Sequence, residues 1–372
     1  MAGLYVHIPF CKSRCIYCGF YSTTMLEHRQ KYVDAVCQEM KLRGPETINT
    51  IYLGGGTPSQ LTIAQLQQIF DAINTYYIYN KEERDTEVTI EVNPDDVTEY
   101  FAQALNSLPV NRVSMGVQTF CDERLQMIHR RHTAAQVVEA IDRLRKAGIG
   151  NINIDLMYGL PGETLADLET DIKKALSLDV EHISTYCLMY EDNTPLHLML
   201  QQGHVSETDE ELERQMYETL IERLTTSGYE HYELSNFARP GLHSRHNSSY
   251  WDGTPYIGIG AAAHSYDLLS RSWNTADILR YIQGIADGQR IYEEERLDDD
   301  MRYNDAITTA LRTARGLDLK TLTLRHHDYC LKNAQRFLND GLLELTSDHY
   351  LHLTHRGLFV SDMIMSDLIY IS

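Results

Sequence analysis

An α/β fold is what the sequence predicts: a partial barrel of six β/α units, (β/α)6, followed by a C-terminal α+β, winged-helix-like domain. Three observations predict it. Short β-rich segments alternate with longer stretches of helical periodicity through residues 1–205. That rhythm stops near Ser206, and the last stretch reads as helix, hairpin, helix. Strands regularly separated by helices form a parallel sheet covered by those helices. Six units are too few to close an eight-stranded barrel, so an open or partial barrel is expected.

The β segments, in order, are Leu4–Ile8, Thr50–Leu53, Glu87–Val92, Arg112–Val117, Asn151–Met157 and His182–Leu188. Each is short and rich in β-branched or large apolar residues. Helical spacing of apolar residues falls between them at His28–Leu42, Ile63–Tyr77, Glu99–Ser107, Ala134–Ala147 and Leu165–Leu178, with Gly148 as a C-terminal stop. Residues 206–298 read as a linking segment of helix and strand that completes the core, with helical patterns at Glu207–Ser227 and Ala276–Gly288. Residues 299–372 read as the final domain. Its elements are helices at Asp299–Thr313 and Tyr329–Asp340, a hairpin of Leu342–Thr346 and Tyr350–Thr354 turning at Ser347–His349, and a closing helix at Gly357–Tyr370.

Composition excludes several function classes. Hydrophobic residues make up 43% and charged residues 23%, the balance of a water-soluble globular chain. No apolar run approaches the roughly 20 residues of a transmembrane helix, and the N-terminus lacks a signal-peptide pattern, so a cytoplasmic protein is expected. The formal charge of −20 opposes nucleic-acid binding, which needs a basic surface. The winged-helix-like end is therefore expected to be structural. Of seven cysteines, Cys11, Cys15 and Cys18 fall within eight residues, whereas Cys37, Cys121, Cys187 and Cys330 are scattered and read as small buried hydrophobes.

The clustered three carry the strongest signal. In Cys11-Lys-Ser-Arg-Cys15-Ile-Tyr-Cys18 the CxxxCxxC spacing lets one loop offer three soft thiolates to an iron–sulfur cube and leave its fourth iron open. A zinc site would want a fourth local ligand, and His7 would sit too far back in its strand. A second motif, Gly54-Gly55-Gly56-Thr57-Pro58, follows the second strand; consecutive glycines allow close backbone approach to a ligand, or simply a tight turn. Its spacing fits neither a phosphate loop nor a dinucleotide fingerprint. Polar residues also stand near the carboxyl ends of three further strands: Glu91, Gln118 and Asp155. In α/β barrels that end carries the active site, and a polar group among apolar strand neighbours must find a partner or ligand. Finally, His246-Asn247-Ser-Ser-Tyr250-Trp251 and the downstream His264 combine imidazole with aromatic rings. That combination suits a flat ligand such as haem, or an ordinary packed loop.

These motifs together resemble the radical S-adenosylmethionine (SAM) superfamily, and more narrowly its branch containing oxygen-independent coproporphyrinogen III oxidase (HemN) and the haem chaperone HemW. The resemblance covers nearly the whole chain and implies a TIM-like radical SAM barrel. It implies a [4Fe-4S] cluster on Cys11, Cys15 and Cys18, with SAM chelating the open iron. It also implies SAM contacts from Gly55, Gly56 and Thr57 of the glycine segment, from Glu91, Gln118, Arg130 and Asp155, and from the aromatic residues Tyr5 and Tyr17. Arg131 is the adjacent alternative to Arg130. Two departures separate the chain from the oxidase. Phe20 stands where the oxidase loop has a further cysteine, and no extension precedes the first strand. Both departures, with the HNxxYW pattern, resemble HemW. The implied function is binding haem, with His246 and His264 as candidate contacts, and passing it to acceptor proteins. A reductant protein such as flavodoxin or ferredoxin would serve the cluster. Oxidative decarboxylation of coproporphyrinogen III is the alternative.

Overall fold

The computed structural model describes residues 1–80 and 86–371. All six expected strands form: β1 (Ala2–Ile8), β2 (Glu46–Gly55), β3 (Glu87–Val92), β4 (Arg112–Gln118), β5 (Asn151–Tyr158) and β6 (His182–Cys187). They pair in parallel in chain order. Five intervening helices fall within about two residues of their predicted bounds: α1 (Arg29–Arg43), α2 (Ile63–Tyr76), α3 (Glu99–Leu105), α5 (Ala134–Lys146) and α6 (Leu165–Ser177); a short α4 (Asp122–Met127) was not expected. Their starts are fixed locally. Thr62 and Gln65, Thr133 and Gln136, and Thr164 and Asp167 each form a reciprocal capping box that satisfies amides left free at a helix start.

The two faces of this sheet differ, because strand side chains alternate. Leu4, Val6 and Ile8 of β1, Ile51 and Leu53 of β2, Val113, Met115 and Val117 of β4, and Ile152 and Ile154 of β5 are buried in the main core with the helices. The alternate residues, among them Tyr5, Tyr52, Glu91, Arg112, Ser114 and Asp155, form the concave inner face. The apolar core thus lies outside the curve of the sheet, and the polar side chains are gathered inside it.

α7 (Pro195–Gln201) follows the sixth strand. The linking segment carries α8 (Glu210–Thr226), α10 (Ile278–Ala286) and six short strands whose positions the sequence did not mark. β7 (Glu230–Glu233) and β8 (Asn236–Ala238) form a hairpin on β6, whereas β9 (Tyr256–Ile259), β10 (His264–Tyr266), β11 (Ser270–Asn274) and β12 (Tyr292–Arg296) extend the other edge beyond β1. The main sheet is therefore open, with order β12-β11-β10-β9-β1-β2-β3-β4-β5-β6-β8-β7. These strands escape sequence reading because they are three to five residues long and their registry is imposed by neighbours. Between β8 and β9 lies α9 (Arg245–Trp251), the HNxxYW segment, set against the inner face near the amino ends of β1–β3.

A second core gathers Tyr303, Ile307, Phe337, Leu351 and Ile364 among others. Around it lie α11 (Asp299–Ala310), α12 (Leu324–Asn339) and a small sheet with order β13 (Leu317–Asp318), β15 (Tyr350–Leu353), β14 (Leu343–Leu345). The expected helix-hairpin-helix is present, with two corrections. α12 begins five residues earlier than expected because Thr323 caps it through the His326 amide. The single closing helix is instead α13 (His355–Leu358) and α14 (Ser361–Leu368). Phe359 between them packs edge-on against Tyr217 of α8, which turns the chain toward the main body. Among the described residues no helix is long and apolar enough to cross a membrane.

Candidate cofactor site

The cysteine loop leaves β1 at Ile8 and is pinned at both ends. The Cys11 amide donates to the Thr23 carbonyl at 2.9 Å, and the Thr23 amide to the Pro9 carbonyl at 2.7 Å. In its middle, Ile16 is buried with Ile128, Met157, Leu160, Leu188 and Leu196. That apolar anchor sits between Cys15 and Tyr17 and leaves the flanking cysteines at the surface of a cavity. Cys11, Cys15 and Cys18 line one pocket of about 80 Å³, shared with Gly55, Gly56 and Arg130. All three cysteines are free and half-buried. Burial pushes the Cys11 and Cys18 thiols up, so iron must displace their protons.

This donor set fits a [4Fe-4S] cluster. Three soft sulfur ligands face one pocket, and the Arg130 guanidinium donates to Cys15 Sγ at 3.6 Å, beside the charge a cluster would bring. Arg130 also keeps an orphaned buried donor, Nε, next to that loop. Among the described residues no three His, Cys, Asp or Glu side chains are arranged around a single metal ion. Thiolates that serve separate irons of a cube need not converge on one point, whereas zinc ligands all lie about 2.0–2.3 Å from one atom. His7, the zinc alternative, is committed elsewhere. Its Nε2 donates to the Tyr21 carbonyl and its Nδ1 accepts from Tyr5, each at 3.0 Å.

Beside the cysteine pocket opens a cavity of about 610 Å³, within the range of small-molecule sites. Of the eleven cofactor contacts expected from sequence, nine line it: Tyr5, Tyr17, Gly55, Gly56, Thr57, Glu91, Gln118, Arg130 and Asp155. Cys18 lines both cavities, so they are continuous at the loop. Arg130, not Arg131, reaches this space. Arg130 donates to Asn93 Oδ1 at 2.8 Å and to the Gly116 carbonyl, whereas Arg131 is held by Asp95 at 2.8 Å.

The glycine segment has a tighter reason for its composition than ligand approach. Gly55 has φ +113°, and a Cβ there would lie 2.5 Å from the His7 ring; one on Gly56 would lie 2.6 Å from the Pro9 backbone. The Gly55 amide donates to Glu91 Oε2 at 3.0 Å and the Gly56 amide to the Ile8 carbonyl at 2.8 Å. Of the two readings of the segment, the tight turn is present, and Gly55 and Gly56 also line the cavity. The glycines let two strand ends meet, and these two amides are spent inside the protein. Gln118 is similarly constrained, with φ +68° at a β4 bulge. A left-handed non-glycine residue is costly and clusters at functional sites.

Glu91 is the electrostatic centre of the cavity floor. The Tyr52 hydroxyl donates to its Oε1 at 2.8 Å. Burial pushes its carboxyl up to about 7, against the stabilising bond from Tyr52 and with a further push from the charge of Asp155. Burial raises Asp155 as well, opposed by the 2.7 Å bond from Asn153. Below them Arg112 is fully buried, with Nε and one terminal nitrogen lacking partners, and its charge favours the ionised form of both carboxyls.

Neither histidine expected to meet haem lines the cavity. His246 is completely buried in α9, its Nδ1 bonded with Thr50 Oγ1 at 2.8 Å and its Nε2 with Tyr250 at 3.0 Å. It has no free nitrogen to ligate iron. His264 is exposed at the start of β10, stacked 5.8 Å from Trp273. Sequence reading missed Asn93, which joins Arg130 to Thr57, and the apolar mouth. There Phe20, Met189 and Tyr186 line the cavity while remaining 73%, 65% and 41% exposed. The signal for Asn93 was its Asn-Pro step directly after β3. The mouth had none, because it joins two distant loops.

An open α/β sheet, parallel through its first six strands and carrying a CxxxCxxC loop at the carboxyl end of β1, defines a radical SAM protein. Residues 5–175 match the Radical SAM superfamily. The chain is 35% identical to the heme chaperone HemW of Bacillus subtilis, over 96% of each protein. It is 39% identical to that of Lactococcus lactis, over 84% of this chain and 82% of the relative. Its fold matches coproporphyrinogen III oxidase (HemN) from Escherichia coli with a TM-score of 0.84, covering 99% of this chain and 90% of that one, at 23% identity. The chain belongs to the HemW family of radical SAM proteins.

Proposed function

We propose that this chain binds haem at the mouth of its SAM cavity and delivers it to acceptor proteins. Cys11, Cys15 and Cys18 would hold the [4Fe-4S] cluster, which when bound and reduced by a partner protein supplies the electron for SAM cleavage. Gly56, Thr57, Glu91, Gln118, Arg130 and Asp155 would bind and orient SAM; Tyr5 and Tyr17 would wall it from water. The observation that carries the haem reading is the two-part cavity: a polar floor and a rim of exposed Phe20, Tyr186 and Met189. Large apolar side chains clustered at a cavity mouth mark a binding surface, and a tetrapyrrole has a broad apolar face. The family relationship supports the same reading, since the named relatives are heme chaperones.

Haem titration of the cluster-loaded protein tests this. A sharp absorption band should develop on binding, and Phe20→Ser with Met189→Ser should weaken binding about tenfold or more. His264→Ala should leave it intact. Phe20 also occupies the position of the oxidase's extra cysteine. Conversion of coproporphyrinogen III by the reduced, SAM-loaded protein would replace the chaperone reading with the oxidase.

A further inference from the structure

The HNxxYW helix points its histidine at the SAM cavity's wall rather than at an opening. His246 stacks on Tyr52 with centroids 5.0 Å apart and planes 25° apart, and on Tyr5 at 6.4 Å and 28°. Tyr5 lines the cavity itself, and the Tyr52 hydroxyl holds Glu91, which lines it too. We propose that His246 is a positioning residue of the SAM pocket: it fixes the Tyr52 ring so that its hydroxyl grips the Glu91 carboxylate. This rests on reading the cavity as the SAM site.

The surroundings of the ring are built to hold it still. Thr50 and Tyr250 bond its two nitrogens from opposite sides, and Gly3 gives it room, since a Cβ there would lie 3.2 Å from the ring. The helix is fixed in turn by Glu87 of β3, whose carboxylate accepts the Arg245 and His246 amides at 2.9 Å each. Each of these contacts constrains the ring's rotation, and its stacked neighbours are Tyr52 and Tyr5, with Tyr250 packed edge-on. A buried imidazole needs both nitrogens bonded in any role; the stack on Tyr52 and Tyr5 is what ties this one to the pocket. Haem ligation would need a free nitrogen and a path to it.

Anaerobic equilibrium dialysis of SAM against the cluster-loaded protein tests the proposal. Glu91→Gln and Tyr52→Phe should each weaken SAM about tenfold, and Tyr250→Phe, which removes one hydroxyl from the ring's support, about threefold. The double variant Tyr52→Phe/Tyr250→Phe should bind no more weakly than Tyr52→Phe alone. Once the hydroxyl that grips Glu91 is gone, the placement of its ring no longer matters. A general loss of packing would add instead, and additive losses overturn the proposal. His246→Phe, which keeps the stack and loses both bonds, should weaken SAM while leaving the haem titration unchanged. If that variant does not fold, the tyrosine cycle still decides. Unchanged SAM affinity in Tyr250→Phe, with Glu91→Gln still weakened, overturns the role of His246 alone. No effect of Glu91→Gln overturns the SAM reading of the cavity, and this proposal with it.

Discussion

Glu91 and Gly55 meet through one hydrogen bond, and each makes a prediction about the site. With its carboxyl pushed up to about 7 from an ordinary value of 4.5, Glu91 is partly protonated near neutral pH. The protonated form is favoured in the folded state, so its contribution to stability is full below 4.5 and is lost as pH rises through about 7. Ligand binding runs the other way. SAM is cationic at sulfur and would prefer the carboxylate, so its affinity should fall by up to about tenfold per pH unit below 7. Glu91→Gln should flatten that profile, as equilibrium dialysis between pH 6 and 8 would read. At Gly55, φ +113° and the His7 ring 2.5 Å from a built Cβ leave no room for a side chain. Gly55→Ala should cost about 1–3 kcal/mol in urea unfolding and also weaken SAM by moving the amide that holds Glu91. At this scale the sequence was most legible where chemistry is spelled out by spacing. The three cysteines, the glycines and the strand-end polar residues all reach adjoining cavities. His246 was not legible in this way, because whether an imidazole meets a ligand depends on which side of its helix the sheet covers.

Among the elements, α9 is short and depends on others for its start. Ser244 accepts the Asn247 amide at 3.3 Å, and Glu87 takes the two amides between. Ser244→Ala should cost about 1 kcal/mol of stability, as a lost N-cap does. In a chemical denaturation series it should match Thr62→Ala at the start of α2, where Thr62 likewise accepts the amide three residues on. The β/α units were legible because α2, α3, α5 and α6 carry their own threonine caps and each strand its own apolar run. β7–β12 were not, because segments such as Tyr-Glu-Glu-Glu-Arg at Tyr292–Arg296 become strands only by pairing with an existing edge. The division of α13 from α14 likewise depends on Tyr217, over a hundred residues earlier.

For the whole molecule, the site joins the β1 loop to the ends of β2–β5, so its occupancy should stabilise the sheet as a unit. Cluster-loaded protein should gain thermal stability on adding SAM, by about 2.7 kcal/mol at a hundredfold excess over the dissociation constant. Cys15→Ser, on the cavity surface, should fold yet lose the cluster and the SAM-dependent rise in melting temperature. A SAM-dependent rise in the cluster-free variant would separate the two cofactors' sites.

What the sequence by itself determined is local: period-two and helical patterns, caps, and a CxxxCxxC loop whose spacing already limits the metal chemistry to a cluster. These depend on neighbours along the chain. Only the tertiary structure decided what flanks the six expected strands, with β9 beside β1 and β8 beside β6. The same is true of the HNxxYW histidine, which lies under the pocket wall instead of at its mouth, and of Phe20 and Met189, which share one rim. Those outcomes rest on which distant surfaces exclude water from one another, and apolar burial, being non-directional, leaves no local mark on the residues it brings together.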